Sequence, residues 1–570
     1  MSLSLTIGAR APGHPRHAHL FDQIGARQAW IAAACAVVCL LLQARMIFLQ
    51  PIHWDEYRFL ADIHAFQRGE LSSAFLTFQV HLFGWLTRFP NEMDQIHVAR
   101  GVMLALESGT VVFIWLIARR FFDATAAAFA ATAYLSFSYV FLHGASFRFD
   151  PIAIFLVMFA TWLLICRPLR LVTISAVALA VAIATMVTVK VALAAPLLVA
   201  AGVYRIMEAE RRVPTLLALA GGAALSALFL ALLYAWHAST LAAPTVSATQ
   251  QQLGSSYDKT LSDWRPFWTH RYFIRAVLEN PVYWVMLAAG IFAIGRRLRD
   301  QPVRSLMLLA FMLPFLTLTF YRNAFPYFYA FILAPAAITV AGAATLSWLR
   351  PFLWLVTTGW TIVAALMMMR INPATAADQA AATNLVHRLF PSPVPYLDRS
   401  SMIPTFPQAG MFMSSWEMEN YRDGKRPTIR TLLATRQPVF IIANSPIISE
   451  GFGIAPSATP RILFHPEDRA ALQSQYVHYT GPIWIAGKRI AASPRPVVAD
   501  FQVAGTYVLN SRVPVQIDGR TVAPHAAVTI GQGRHRIVSP QGAQGILLRW
   551  GAGLPQAAQS APRELVFDNL

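Results

Sequence analysis

Trp54-Asp55-Glu56-Tyr57 sets two adjacent carboxylates directly after the first long apolar run of the chain, residues 29–49. Carboxylates beside a bilayer are expensive, so a chain keeps them solvated or paired with cations. The flanking aromatic residues favour the membrane interface. An acid in that position could accept a proton from a substrate whose lipid tail stays in the membrane. Taken alone, the pair equally fits the solvated start of an external loop.

Other polar residues fall at comparable places. Arg148 and Asp150 stand in Phe147-Arg148-Phe149-Asp150-Pro151, between the third and fourth apolar runs. Lys190 precedes Pro196 by six residues and is the only lysine before Lys259. Arg322 follows the ninth run in Tyr321-Arg322-Asn323. Each alone reads as a snorkelling or salt-bridged side chain. Together, Asp55, Glu56 and Asp150 could accept a proton or orient a hydroxyl, and Arg148, Lys190 and Arg322 could hold a phosphate. Glu107, inside the second run, is expected to pair with another helix and is assigned no role.

The elements that must position these residues are mostly membrane helices. The chain has 570 residues, of which 56% are apolar and only 13% charged, which is not a soluble composition. Apolar windows give about eleven spans: 29–49, 98–118, 125–143, 151–166, 171–188, 191–204, 213–236, 278–295, 305–320, 326–347 and 352–369. They stop after Arg370. We therefore expect a polytopic α-helical membrane protein with a C-terminal α/β plus β-sandwich domain. The expected division is a cytoplasmic tail at 1–28, a transmembrane catalytic domain at 29–370, an α/β segment at 371–495 and a small sandwich at 496–570. The tail has no small-residue cleavage site after a short apolar core, so it reads as the cytoplasmic lead to a signal anchor.

A net charge of +18 could suggest nucleic acid, but in a membrane protein it is first a topology signal. The arginines sit on alternate loops: Arg10, Arg16, Arg27; Arg119, Arg120; Arg167, Arg170; Arg205, Arg211, Arg212; Arg296, Arg297, Arg299, Arg304; Arg350. Asp22, Asp123, Glu208, Glu210 and Asp300 are their only acidic companions. No basic stripe with interleaved aromatics occurs, so nucleic acid is not an expected partner. An odd number of spans with a cytoplasmic N-terminus puts the C-terminal domain outside, on the side of Asp55, Asp150 and Lys190. Cys35, Cys39 and Cys166 lie in apolar runs and suit packing, not a disulfide or a zinc site.

Two external loops are long. Within residues 50–97, Phe75 to Leu86 is amphipathic and aromatic and predicts a helix lying in the interface. Residues 237–277 carry Tyr257, Asp258, Lys259, Asp263, Trp264, Arg265, Trp268, Arg271 and Arg275, suited to a mobile loop covering a phosphate or sugar. Beyond them a helix is expected at 374–390 and strands at 438–443, 482–486, 505–509, 513–520 and 527–530, with Asp518-Gly519 as a hairpin turn.

A first helix, Asp55-Glu56 in a long external loop, Arg148-Phe149-Asp150 before the fourth helix, Lys190 after Thr188 and an external C-terminal domain follow one another in an order that resembles the GT-C glycosyltransferases. The resemblance covers residues 25–370 and is to the bacterial protein O-mannosyltransferase and lipid A aminoarabinose transferase relatives. It implies that Asp55 matches the catalytic acid of the first loop, Glu56 its neighbour and Asp150 the second acidic position. Lys190 and Arg322 match basic positions near the donor phosphate. The family's frequent Lys-Gly pair is Lys190-Val191 here. The implied activity is inverting transfer of a sugar from an undecaprenyl-phosphate carrier to a periplasmic glycan, lipid or protein, at the bacterial inner membrane. The scheme requires no metal and no cofactor.

Two other classes compete. A transporter or flippase of a lipid-linked or anionic substrate should place its ionisable residues near the membrane midplane and show broken, repeated helices. A non-catalytic assembly factor with a sugar-binding sandwich would not need carboxylates and cations together at the outer helix ends. Reporter fusions after Arg120 and Arg297 are expected to report cytoplasm, and fusions after Pro90 and at the C-terminus periplasm. A cytoplasmic C-terminus would overturn this topology.

Overall fold

The computed structural model describes residues 15–242, 250, 254, 269–454, 463–540, 545–555 and 567, with side chains from Arg27 onward. Tyr257, Asp258, Lys259, Asp263, Trp264, Arg265 and Trp268 of the second long loop lie outside these residues. The chain divides into two compact units. One comprises residues 1–47, 72–79 and 99–371, and the other residues 48–71, 80–98 and 372–570.

The first unit is helical. Among the described residues seven helices are long and apolar enough to cross a membrane: Arg27–Leu49, Glu92–Phe121, Phe149–Cys166, Val189–Glu208, Arg212–Ser239, Phe328–Thr345 and Arg350–Met369. An eighth arises if His270–Glu279 and Pro281–Gly295, bent by 92°, form one span. The chain is thus a helical membrane protein with a sheet-containing C-terminal part. Composition suggests about eleven spans because hydropathy does not register breaks. The 125–143 window is interrupted at Phe137, whose extended backbone separates Ala124–Ser136 from Ser138–His143. The 305–320 window is Pro302–Ala310 followed by a 3-10 turn, Phe315–Thr319. Leu171–Val187 is helical but only 17 residues long.

Every residue of the Phe328–Val340 helix is buried. It forms the centre of the unit and packs against Ala124–Ser136, Phe149–Cys166 and Pro281–Gly295. Its small side chains allow backbones to approach closely, the usual means of association where lipid removes the hydrophobic drive. Gly290 shows how tight the fit is, since a Cβ there would stand 2.3 Å from the Thr339 carbonyl oxygen.

The two ends of this unit differ in charge. At one end Arg120 pairs with Glu208 at 3.1 Å and Arg350 with Asp123 at 2.5 Å. There Arg205 donates to the Arg167 carbonyl at 3.2 Å and Arg304 to the Phe121 carbonyl. The arginine-bearing turns are therefore neighbours. Asp150 begins the Phe149–Cys166 helix and Arg167 follows its end. Those 18 residues rise about 27 Å, close to the roughly 30 Å of a hydrocarbon core.

The second unit is built on β1 (Tyr396–Leu397), β2 (Phe440–Ile442), β3 (Tyr476–Thr480), β4 (Ile483–Ile490), β5 (Val497–Phe501), β6 (Gly505–Asn510), β7 (Val515–Ile517), β8 (Arg520–Val522), β9 (Ala527–Ile530), β10 (Gly533–Val538) and β11 (Ile546–Trp550). One sheet has the order β1-β2-β4-β11-β6-β9, with β3 on β4, and the other β5-β10-β7-β8. Ile490, Phe501, Leu509, Ile517, Ile537 and Leu548, from both sheets, share one core. The first sheet draws strands from both sides of residue 496. β11 pairs antiparallel with both β4 and β6, so the first sheet runs through it. Asp518 and Gly519, both at positive φ, close the β7–β8 hairpin.

Residues 48–71 and 80–98, expected as loop within the membrane domain, belong to this second unit. The Trp54–Gln67 helix buries Tyr57, Leu60 and Ile63. Just before it, the Ile52 backbone exchanges two hydrogen bonds with the Gln379 side chain on the Pro373–Leu389 helix, at 2.8 and 3.0 Å. Buried Glu92 accepts from His387 at 2.9 Å and from Thr405. The expected interface helix over Phe75 to Leu86 does not form as one element. Leu76 has φ 58°, and helix is confined to Gln79–Phe83 and a 3-10 turn at Gly84–Arg88. Phe78, Val80, Phe83 and Leu86 are buried against protein, while Leu82 and Trp85 stay exposed.

Gly290→Ala tests the close approach in the first unit. Overpacking costs about 1–3 kcal/mol, and the clash is with backbone, which cannot rotate aside. The thermal midpoint in detergent should fall by several degrees, whereas Gly295→Ala, where a Cβ meets nothing within 4 Å, should leave it unchanged.

Candidate active site

In the first unit, three sequence-selected residues come together. The chain leaves the Leu171–Val187 helix at Thr188, whose φ and ψ of −157° and 133° are extended. It continues as a 3-10 turn, Val189–Ala194, before Pro196 starts the next helix. This break carries Lys190, whose Nζ lies 2.8 Å from Asp150 Oδ1. Arg148, just before the Phe149–Cys166 helix, has its Nε 3.8 Å from Asp150 Oδ2. Asp150 and Arg148 are 2% and 5% exposed. The guanidinium carbon of Arg148 stands 3.5 Å from the centroid of the Tyr327 ring, and Lys190 Nζ 5.1 Å from the same centroid. Cations over an aromatic face gain from its quadrupole, more so when desolvated.

Two cations thus converge on one carboxylate. Asp150 therefore acts first as the counter-charge that makes burial of Lys190 and Arg148 tolerable. Arg322 is half-buried in the connection that also carries Tyr327.

Asp55 and Glu56 belong to the second unit and differ sharply from one another. They occupy the first turn of the Trp54–Gln67 helix instead of a loop. His53 caps that helix, with its Nδ1 accepting from the Asp55 N–H at 3.2 Å. Glu56 Oε1 accepts from the His53 N–H at 2.9 Å, completing a capping box. Its side chain is wholly buried, so Glu56 is engaged in holding the helix start. The Asp55 side chain is 19% exposed, with Oδ2 3.6 Å from His53 Nδ1. Acidic residues in a first turn also complement the helix dipole.

Beside Asp55 the structure adds one residue that the sequence analysis did not single out, Arg399. Trp54 carries the Arg399 guanidinium over its ring at 4.4 Å from the centroid. Arg399 follows β1, far along the chain, and no local pattern announces it. Tyr327 is the corresponding omission in the first unit. Its signal was an aromatic residue close to Arg322, which is common enough to carry no weight alone.

A polytopic helical unit with buried ion pairs at its helix ends, followed by a sheet-containing unit, has the fold of the GT-C glycosyltransferases. Among solved structures the chain is similar to ArnT from Cupriavidus metallidurans bound to undecaprenyl phosphate, with a TM-score of 0.54 and 14% identity over 75% of this chain and 94% of that one. The apo state of the same protein aligns with a TM-score of 0.50, at 14% identity over 75% and 95%. No protein-family model and no curated protein matches the chain.

The ion pair itself can be tested. Lys190→Ala leaves Asp150 buried with one cation fewer, and breaking a buried pair costs about 3–5 kcal/mol. The thermal midpoint in detergent should drop clearly, and adding Asp150→Asn should restore part of the loss. A double-mutant cycle with coupling near zero would mean the two charges do not interact.

Proposed function

We propose that the chain is an inverting membrane glycosyltransferase that moves one sugar from an undecaprenyl-phosphate donor to a periplasmic glycan, lipid or protein. The observation that carries the reading is the convergence of the Arg148 and Lys190 cations on Asp150, beside Tyr327 at the start of the Phe149–Cys166 helix. A compact cationic site at the end of a membrane helix suits a phosphate borne on a lipid. The shared fold of ArnT, solved with undecaprenyl phosphate bound, supports the choice of donor.

On this reading Lys190 and Arg148 hold the donor phosphate, with Arg322 as a further cation. Asp55 takes the proton from the acceptor hydroxyl as its oxygen attacks the anomeric carbon. The bond from that carbon to the phosphate oxygen breaks, and its electron pair stays on the phosphate. Lys190 and Arg148 offset the charge that develops there, which is where preorganised cations lower a barrier most. A single displacement inverts the anomeric centre. Glu56 keeps the Asp55 turn in shape. The protein would lie in the bacterial inner membrane, with a cytoplasmic N-terminus and a periplasmic C-terminal unit.

Asp55→Asn separates proton acceptance from packing, because it keeps size and polarity. It should transfer sugar at least roughly a hundredfold more slowly while still binding the donor. Glu56→Gln should affect stability more than turnover, since it weakens a cap. Transfer from labelled undecaprenyl-phosphate sugar into envelope from a deletion strain reads both. Near wild-type transfer by Asp55→Asn would falsify the assignment of the base.

A further inference from the structure

Arg399 is the most anomalous charge in the second unit. It is 1% exposed, and neither Nη1 nor Nη2 has a hydrogen-bond partner among the described residues. A buried cation without hydrogen bonds costs several kcal/mol, so folds seldom keep one without a use. Burial pushes the guanidinium down to about 10, with the charges of Asp55 and Asp398 opposing the shift. It remains a cation at neutral pH.

The surrounding turn is built to hold it there. The Asp398 carboxylate accepts from the N–H groups of Ser400, Ser401 and Met402 at 3.2, 2.7 and 2.8 Å. It also accepts from Asn444 Nδ2 at 2.8 Å and Gln408 Nε2 at 2.7 Å. The Arg399 N–H donates to Asn444 Oδ1 at 3.3 Å, and its carbonyl accepts from the Met413 N–H at 2.9 Å. Ser401 takes a left-handed φ of 61°, a conformation kept only where its surroundings impose it. Five donors therefore engage Asp398, which leaves Asp55 as the other carboxylate whose charge acts on the guanidinium. The Trp54 indole packs against it, with the guanidinium carbon 4.4 Å from the ring centroid.

We propose that Arg399 binds an oxyanion of the reacting molecules beside Asp55, presenting the edge of its guanidinium to a phosphate or carboxylate. This rests on the reading of Asp55 as the base. A planar fork held by stacking is preorganised for two parallel hydrogen bonds to such a group. The anion comes either from the acceptor or from the phosphate of the lipid carrier.

The full-length protein in detergent is titrated with inorganic phosphate and, separately, with undecaprenyl phosphate, following the thermal midpoint. Arg399→Gln should weaken one or both apparent affinities at least roughly tenfold, and Arg399→Lys should retain part. Loss with undecaprenyl phosphate assigns the anion to the carrier, and loss confined to inorganic phosphate assigns it to the acceptor. Without ligand, Arg399→Gln should match or exceed the wild-type midpoint, because it removes an unpaired buried charge. A lower midpoint with unchanged binding of both probes would make Arg399 structural and overturn the proposal. Asp55→Asn serves as the second axis: normal transfer by it defeats the base assignment, whatever the Arg399 titrations show.

Discussion

Lys190 can stand among apolar helices only because Asp150 lies 2.8 Å from its ammonium, and much of the first unit is arranged around that pairing. The helix carrying the lysine has to stop at Thr188 and restart at Ala195, so that the intervening turn aims Lys190 at the beginning of another helix. That second helix has to begin next to Asp150, with Arg148 immediately outside it. Tyr327 has to end its connection where the two cations can lie over its ring. The ion pair is a weak source of stability in itself. Its effect is on register, because no sliding of these helices keeps both cations satisfied.

The second unit follows the same logic with different partners. Asp398 and Glu92 are buried carboxylates, and each is satisfied by donors from segments remote in sequence. Asp398 draws on Asn444 and Gln408 as well as its own turn. Glu92 draws on His387 and Thr405. Burial raises the Asp398 carboxyl above its ordinary range despite these donors. Polar groups of this kind penalise alternative packings heavily, so they select one arrangement.

The membrane helices were readable because lipid forces long apolar runs, and the strands read at 438–443 and 482–486 because a buried strand is continuously apolar; β4 runs on to Ile490 through Lys488 and Arg489, which that signal does not reach. Breaks were harder to read. Phe137 interrupts a helix with no proline or glycine at that position, and Leu76 turns left-handed inside what composition presents as an amphipathic helix. β10, Gly533-Arg534-His535-Arg536-Ile537-Val538, carries too many polar side chains to stand out, and becomes a strand by pairing with β5 and β7. Asp55, Asp150 and Lys190 were found as residue types at telling places. Arg399 and Tyr327 were not, because Trp54 meets Arg399 and Arg148 meets Tyr327 only through tertiary packing. The capping role of Glu56 was masked by a histidine at the cap, a position where serine, threonine or aspartate is the usual signal.

The sheet order also bears on how the chain acquires its structure during synthesis. β11 is made after both of its partners, yet it lies inside the sheet, between β4 and β6. Until residue 550 has emerged, two earlier strands face an empty lane, their backbone groups open to wrong partners. The Trp54–Gln67 helix emerges early, while Gln379, which grips the backbone just before it, is hundreds of residues from being made. Pairings so distant in sequence form slowly and leave sticky edges exposed meanwhile. The membrane helices can settle in order as they are translated; the unit bearing Asp55 has to wait until β11 is made.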